Sequence, residues 1–161
     1  MTANYNFLQN NGFIFSLERI PQTIFRVTSC GVPSLSIPAP QAGFPGATQY
    51  FPGTNAEFEE LTLQFLVDEN LENYEEIYDW ITQQRYCSNY VPKGDNDKLL
   101  VSDGTLVTMT NASNPNRVFK FKALFPIALG NLQFNTTITE TQPVICQVTF
   151  KYSYFELVRK T

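Results

Sequence analysis

Between Val144 and Leu157 apolar and polar residues alternate over most of the run. Val144, Cys146, Val148, Phe150, Tyr152 and Tyr154 fall on one face. Ile145, Gln147, Thr149, Lys151 and Ser153 fall on the other, until Phe155 and Leu157 break the pattern. A period of two marks a strand covered by a core on one side. At about 3.3 Å per residue such a strand reaches roughly 45 Å, about twice the usual length. Left unpaired, an edge that long templates aggregation. Two solutions are open: a neighbouring chain pairs along it, or a bend divides it between two sheets.

The rest of the chain follows the same period. Phe13, Phe15 and Leu17 share a face in 13–20, with Ser16 and Glu18 opposite. A second extended run, 24–29, follows Pro21. In 58–67, Leu61, Leu63, Phe65 and Val67 alternate with Glu60, Thr62 and Gln64. Residues 98–109 read as a hairpin turning at Asp103-Gly104, and 111–116 as a turn on Asn114-Pro115. In 118–125, Phe119, Phe121, Ala123 and Phe125 oppose Lys120 and Lys122, and Pro126 ends the run. In 132–138, Leu132, Phe134, Thr136 and Ile138 alternate with Gln133, Asn135 and Thr137.

One segment has helical spacing. Over about 71–84, Leu71, Tyr74, Ile77, Tyr78 and Ile81 form an apolar stripe, with Trp80 at its edge. Asp68 or Asn70 is the expected cap. Glu75, Glu76 and Asp79 read as a solvated face rather than a metal or acid–base site. Strands interrupted by one helix give a single domain over 1–161, a β-sandwich or barrel with the helix at one side.

Residues 38–56 differ in character. They hold four prolines and three glycines, and they carry Phe44, Tyr50 and Phe51. A long irregular stretch inside a compact domain is usually functional or disordered. The aromatics favour an arm, ending near Phe58, that orders against another subunit. The 161-residue chain is 43% hydrophobic but only 16% charged, against a typical charged share of about 25%. That leaves surface for neighbours.

Several functions are disfavoured. The net charge of −4 argues against a nucleic-acid binder, though not against a wall that lets nucleic acid slide past. There is no histidine, which removes His-based triads and most zinc sites. No phosphate-binding glycine loop occurs. Cys30, Cys87 and Cys146 are odd in number, lack metal spacing and read as buried free thiols. The segment 1–11 is polar and uncharged apart from its terminus, without the basic start and apolar run of a signal peptide. It reads as an N-terminal arm. No enzyme, cofactor, metal or small-molecule ligand is expected.

The segment 119–157 carries a resemblance. It has an aromatic-proline pair (Phe125-Pro126), a Gly-x-Leu-x-aromatic strand (Gly130, Leu132, Phe134), a polar turn at 135–143, and a long strand closing near Phe155-Glu156. This resembles the C-terminal signature of tail tube proteins from T-even-type contractile bacteriophages. The block from Gly53 to Leu63, with Asp68-Glu69 and the Asp79-Trp80 helix, is similar to that family's central strand and helix. The likeness covers about two thirds of the chain. The 38–56 arm is longer and richer in proline than the family's.

The resemblance implies a mainly β fold of two packed, roughly orthogonal antiparallel sheets forming a small barrel or sandwich, with one flanking helix. It implies hexameric rings stacked into a tube inside a contractile sheath, which conducts double-stranded DNA into the host. The sheath, baseplate and tail terminator proteins would be partners, in a virion tail assembled in the bacterial cytoplasm. Thr62, Gln64, Gln133 and Asn135 are polar and uncharged, as a lumen wall requires; outer solvent and sheath remain alternative destinations for them. A baseplate or tube-initiating protein, or a secretion-system tube subunit, would share the fold. A soluble small-molecule-binding β-barrel is the more distant alternative.

Overall fold

The computed structural model describes residues 6–21, 26–86, 100–137 and 142–159. Ile24, Phe25, Cys87, most of the 86–97 loop, the start of the 98–109 segment and Ile138 lie outside them. Among the described residues the elements follow in order: β1 Phe13–Leu17, β2 Val27–Cys30, β3 Leu35–Ser36, β4 Gln41–Phe44, β5 Ala47–Tyr50, β6 Glu57–Phe58, β7 Leu61–Leu66, α1 Glu72–Tyr86, β8 Ser102–Met109, β9 Pro115–Leu129, β10 Ile145–Lys151 and β11 Tyr154–Arg159.

The main path is β1-β8-β9-β10-β7-β2, with β11 also on β9, and every ladder is antiparallel. β9 belongs to two sheets. Its first part pairs with β8 and β11, and its end pairs with β10. The result is a sandwich rather than the closed barrel. Among the described residues no ladder joins β1 to β2.

The alternating residues define the core. Phe15, Leu17, Leu61, Leu63, Phe65, Cys146, Val148 and Phe150 are buried, with Phe13 and Val67 packed against them. The polar alternates Thr62, Gln64, Gln147 and Lys151 are exposed.

The long C-terminal run is resolved within the chain. β10 and β11 lie along the same strand, β9, and the break between them falls at Tyr152-Ser153. There Ser153 N–H donates to Lys122 O at 3.0 Å. β9 bends opposite, where Ala123 takes a φ of +53°. Asp103 holds that bulge: its carboxylate accepts from Ala123 N–H at 3.2 Å and pairs with Lys122 Nζ.

The bulge corrects two expectations. Past it the faces exchange, so Leu124 and Pro126 are buried while Ala123 and Phe125 are only partly so. Pro126 does not end the run, because β9 continues through it to Leu129.

The Lys122 ion pair, desolvation and the Ala123 hydrogen bond together leave the Asp103 carboxyl below its ordinary value. Its contribution is therefore complete above about pH 4, the unfolded value, and is lost as pH falls through the lower folded value. Asp103→Ala should cost about 1 kcal/mol at pH 7, the usual worth of one backbone hydrogen bond. The thermal midpoint should drop by about 2–4 °C. Thermal scans of both proteins should show that gap shrinking only below about pH 4.

The proposed hairpin at Asp103-Gly104 is instead the continuous strand β8. Gly104 sits between Leu17 and Phe121 in a three-strand ladder. A Cβ there would meet Leu124 Cδ1 at 3.2 Å and Phe15 Cζ at 3.4 Å, so the glycine makes room for core side chains rather than for a turn. The 111–116 turn closes earlier than expected, at Thr110–Asn114, with Ser113 at φ +58° and Pro115 opening β9.

The alternation at 132–137 is not a strand. Gly130 N–H bonds Gln147 O at 2.6 Å, and a Cβ on Gly130 would sit 2.9 Å from that oxygen, so the chain leaves the sheet there. Asn135 then folds the backbone locally by accepting from Thr137 N–H at 2.9 Å.

The helix is where expected but rotated. Asn73, Ile77 and Trp80 are buried, with Tyr74 and Ile81 at the flanks. Leu71 and Tyr78, assigned to the stripe, are 40% and 54% exposed. Leu71 precedes the first turn with φ +60° and accepts from Glu75 N–H. Neither Asp68 nor Asn70 caps the helix. Asp68 pairs with Arg26, while Asn73 bridges Asp68 N–H and Leu66 O.

Candidate functional site

The segment 34–59 is a two-step hairpin arm outside the main sheets. β3 pairs with β6 at its base, and β4 pairs with β5 at its tip. The expected irregular stretch is thus partly ordered, and the sequence explains how. Phe44↔Ala47 is the last pair, leaving Pro45-Gly46 as a two-residue turn. Proline fixes φ near −65° and Gly46 has φ +87°, the combination of a type II turn. Between the two steps Phe51 N–H donates to Pro40 O at 3.0 Å. A Cβ on Gly53 would fall 1.9 Å from Pro38 O, so only glycine lets the stems touch.

The arm is tied to the body at its base. Phe58 packs edge-on against Tyr152 and Phe155, with centroids 6.1 and 5.5 Å away. Tyr152 OH donates to Glu59 O at 2.8 Å. Burial, with the Glu59 charge adding to it, pushes that phenol up to about 12, so it remains a neutral donor at ordinary pH. Tyr152→Phe keeps the ring contacts and loses the bond. Its expected cost is local, about 1 kcal/mol. Amide exchange at residues 57–59 should then be about five times faster, with the β10 amides unchanged.

Beyond that base the arm exposes apolar surface. Leu35, Ile37, Tyr50 and Phe51 are all open, Tyr50 to 63%. A two-stranded ribbon is marginal in water, and a group of exposed apolar side chains marks an interaction surface. Phe44 lies in β4 beside the turn.

The sheet of β7 and β10 offers a second surface. Thr62 and Gln64 on β7 stand opposite Thr149 and Gln147 on β10. The charged residues at this margin, Glu60 and Lys151, pair with each other at 3.5 Å. Gln64 and Gln147 also open onto a concavity of about 710 Å³ completed by Gly130, Asn131, Gln133–Asn135 and Gln142–Ile145. So Gln64, Gln133 and Asn135 come together, and Thr62 lies further along the sheet. Of the 125–134 motif residues, Pro126 is buried, Phe125 and Leu132 pack against the core, and Phe134 is 76% exposed.

Strand edges make the third surface. β1, β2, β11 and the end of β9 each have one side without a partner among the described residues. Of these edges the sequence pointed only to the long run that contains most of β11; the others were not singled out, because pairing partners cannot be read from alternation alone. Cys30 and Cys146 are free; burial pushes the Cys30 thiol up to about 12 and Cys146 in the same direction. Among the described residues there is no cluster of three or more potential metal ligands.

No protein-family model matches the chain, and no curated protein sequence does. Solved structures do. A chain of the sheath–tube complex of an extracellular contractile injection system (PVC, extended state) superposes with a TM-score of 0.69 at 18% identity, covering 98% of this chain and 95% of that one. A chain of the anti-feeding prophage baseplate gives 0.63 at 10% identity, covering 98% of each. Hcp1 of E. coli EAEC 042 gives 0.54 at 8% identity, covering 92% of each. The chain therefore shares its fold with these chains of contractile injection particles and with Hcp1.

Proposed function

We propose that this chain is the structural subunit of the tube in a contractile tail. Six copies close into a ring, rings stack into a hollow tube, and a contractile sheath surrounds it. The observation that carries this reading is the arm: a projecting, mostly apolar hairpin on a domain with unpaired strand edges, in a fold shared with a sheath–tube complex. Ring closure pairs edges that would otherwise stay open. The six-fold symmetrised baseplate containing a similar chain supports six as the number.

In this reading the sheath, baseplate and terminator proteins are partners, the tube sits in a virion tail assembled in the bacterial cytoplasm, and double-stranded DNA passes through without being read. The polar face of Thr62 and Thr149, with its internally paired Glu60 and Lys151, supplies the lumen wall, and Gln64 and Gln147 stand where that wall meets the concavity. Gln133 and Asn135 lie at its end. The role is structural and non-catalytic.

A second reading is favoured by the nature of the similar structures, which belong to injection-type particles and include a baseplate. There the chain is a tube subunit or baseplate-proximal initiator of a protein-delivering particle. Negative-stain microscopy tests the common core of both. Rings or tubes of uniform bore are the expected result, and a monodisperse monomer at high concentration overturns both. Packaged DNA in purified particles separates the first reading from the second.

A further inference from the structure

We infer that the concavity beside Gln64 and Gln147 is the seat for the arm of the next copy, which makes the contact head-to-tail. This rests on the reading of the chain as a tube subunit, and it names the surface that receives the arm.

The first argument is placement. The arm joins the body where β7 begins and β10 ends, through Phe58, Glu59 and Tyr152. The concavity lies toward the other end of the same pair, where Ile145 faces Leu66. Five residue steps lead from Leu61 to Leu66, about 17 Å along the strand. A projection near one end and a recess near the other are different patches, so copies joining through them make a heterologous contact that propagates.

The second argument is chemistry. From Val27 to Ala56 the chain has no Asp, Glu, Lys or Arg. Among the described residues the concavity is lined without a charged side chain either. Its walls combine amides (Gln64, Gln133, Asn135, Gln147) with apolar Phe134 and Ile145, both exposed. The arm presents the complement: Tyr50 and Phe51 for the apolar part, and the outer edges of β4 and β5, whose backbone groups beyond the ribbon have no ladder partner among the described residues. Amide side chains both donate and accept, as an unpaired strand edge requires.

Inter-copy crosslinking of the full-length chain tests the seat. With Cys87→Ser as background, Tyr50→Cys and Gln133→Cys are combined and oxidised mildly after assembly. A ladder of disulfide-linked oligomers is expected, and none when Lys120→Cys, on an exposed β9 position, replaces Gln133→Cys. Assemblies that form without the Tyr50–Gln133 ladder overturn the seat and leave the tube reading intact. A chain that remains monomeric at every concentration overturns both. Charge complementation is independent of cysteine chemistry. Gln49→Arg alone or Gln133→Glu alone should raise the concentration needed for assembly about tenfold or more, and mixing the two variants should restore it. Failure of the mixture to recover, with both variants folded, overturns the seat.

Discussion

Replacing Gln41–Tyr50 by Asn-Gly leaves a folded chain that no longer assembles. The join is available because Phe51 N–H already donates to Pro40 O at 3.0 Å. With two residues between them, that bond becomes the closing hydrogen bond of an Asn-Gly turn. The Phe58 contacts and the Tyr152–Glu59 bond lie outside the excision, so the base of the arm stays attached. Nothing is removed from the buried core, whose members come from β1, β7, β8, β9, β10, the helix and the Ile20 region. The thermal midpoint should move by no more than about 2 °C, in line with a surface change below about 0.5 kcal/mol. Assembly is another matter. Fully burying Tyr50 alone at each contact is worth roughly 1.5–3 kcal/mol, and a closed ring repeats the loss at every contact. Sedimentation should give a monomer at concentrations where the complete chain forms rings or tubes. Tubes of normal bore from the shortened chain would overturn the assignment of the arm.

The strands with unbroken alternation were legible before the structure. In 13–17, 61–67 and 145–150 each inward residue touches the core, because period two assigns a face with no knowledge of the partner. What failed has a common cause: signals whose meaning depends on what lies across the sheet. Asp103-Gly104 has turn chemistry, yet Gly104 is a gap filled by Leu124 and Phe15. Pro126 looks like a stop, yet the Ala123 bulge turns it inward. The 132–137 alternation is genuine, yet the close approach of Gly130 to Gln147 steers the chain out of register. For the candidate site, the 38–56 segment stood out by its prolines and aromatics but read as irregular, and the hairpin turning at Pro45-Gly46 was not singled out. Nor was the concavity, since Gln64, Gln133 and Gln147 are brought together only by the β7–β10 register and the departure after Gly130.

The helix gives the largest expected loss of stability, at a residue that periodicity placed only at the edge of the stripe. Trp80 is fully buried, its ring 6.0 Å from that of Phe150, with the Arg19 guanidinium 4.9 Å above it. Its Nε1–H donates to Leu100 O at 2.8 Å. Trp80→Ala opens a cavity, strands that carbonyl and removes the cation–π contact, for about 3–5 kcal/mol in total. That is a large part of the 5–15 kcal/mol typical of a domain, and it predicts a midpoint lower by roughly 6–20 °C. Trp80→Phe should recover part of the packing but not the hydrogen bond. Tyr78→Ala, two residues earlier on the open face, should cost under about 0.5 kcal/mol. Thermal or urea unfolding of the three variants discriminates the two helix orientations. A large loss at Tyr78 with a small one at Trp80 would mean that α1 docks through the stripe of Leu71, Tyr74, Ile77, Tyr78 and Ile81. The reverse order follows from a helix that seats Asn73, Ile77 and Trp80, leaving Tyr78 beside Glu75 and Asp79 on the outer surface.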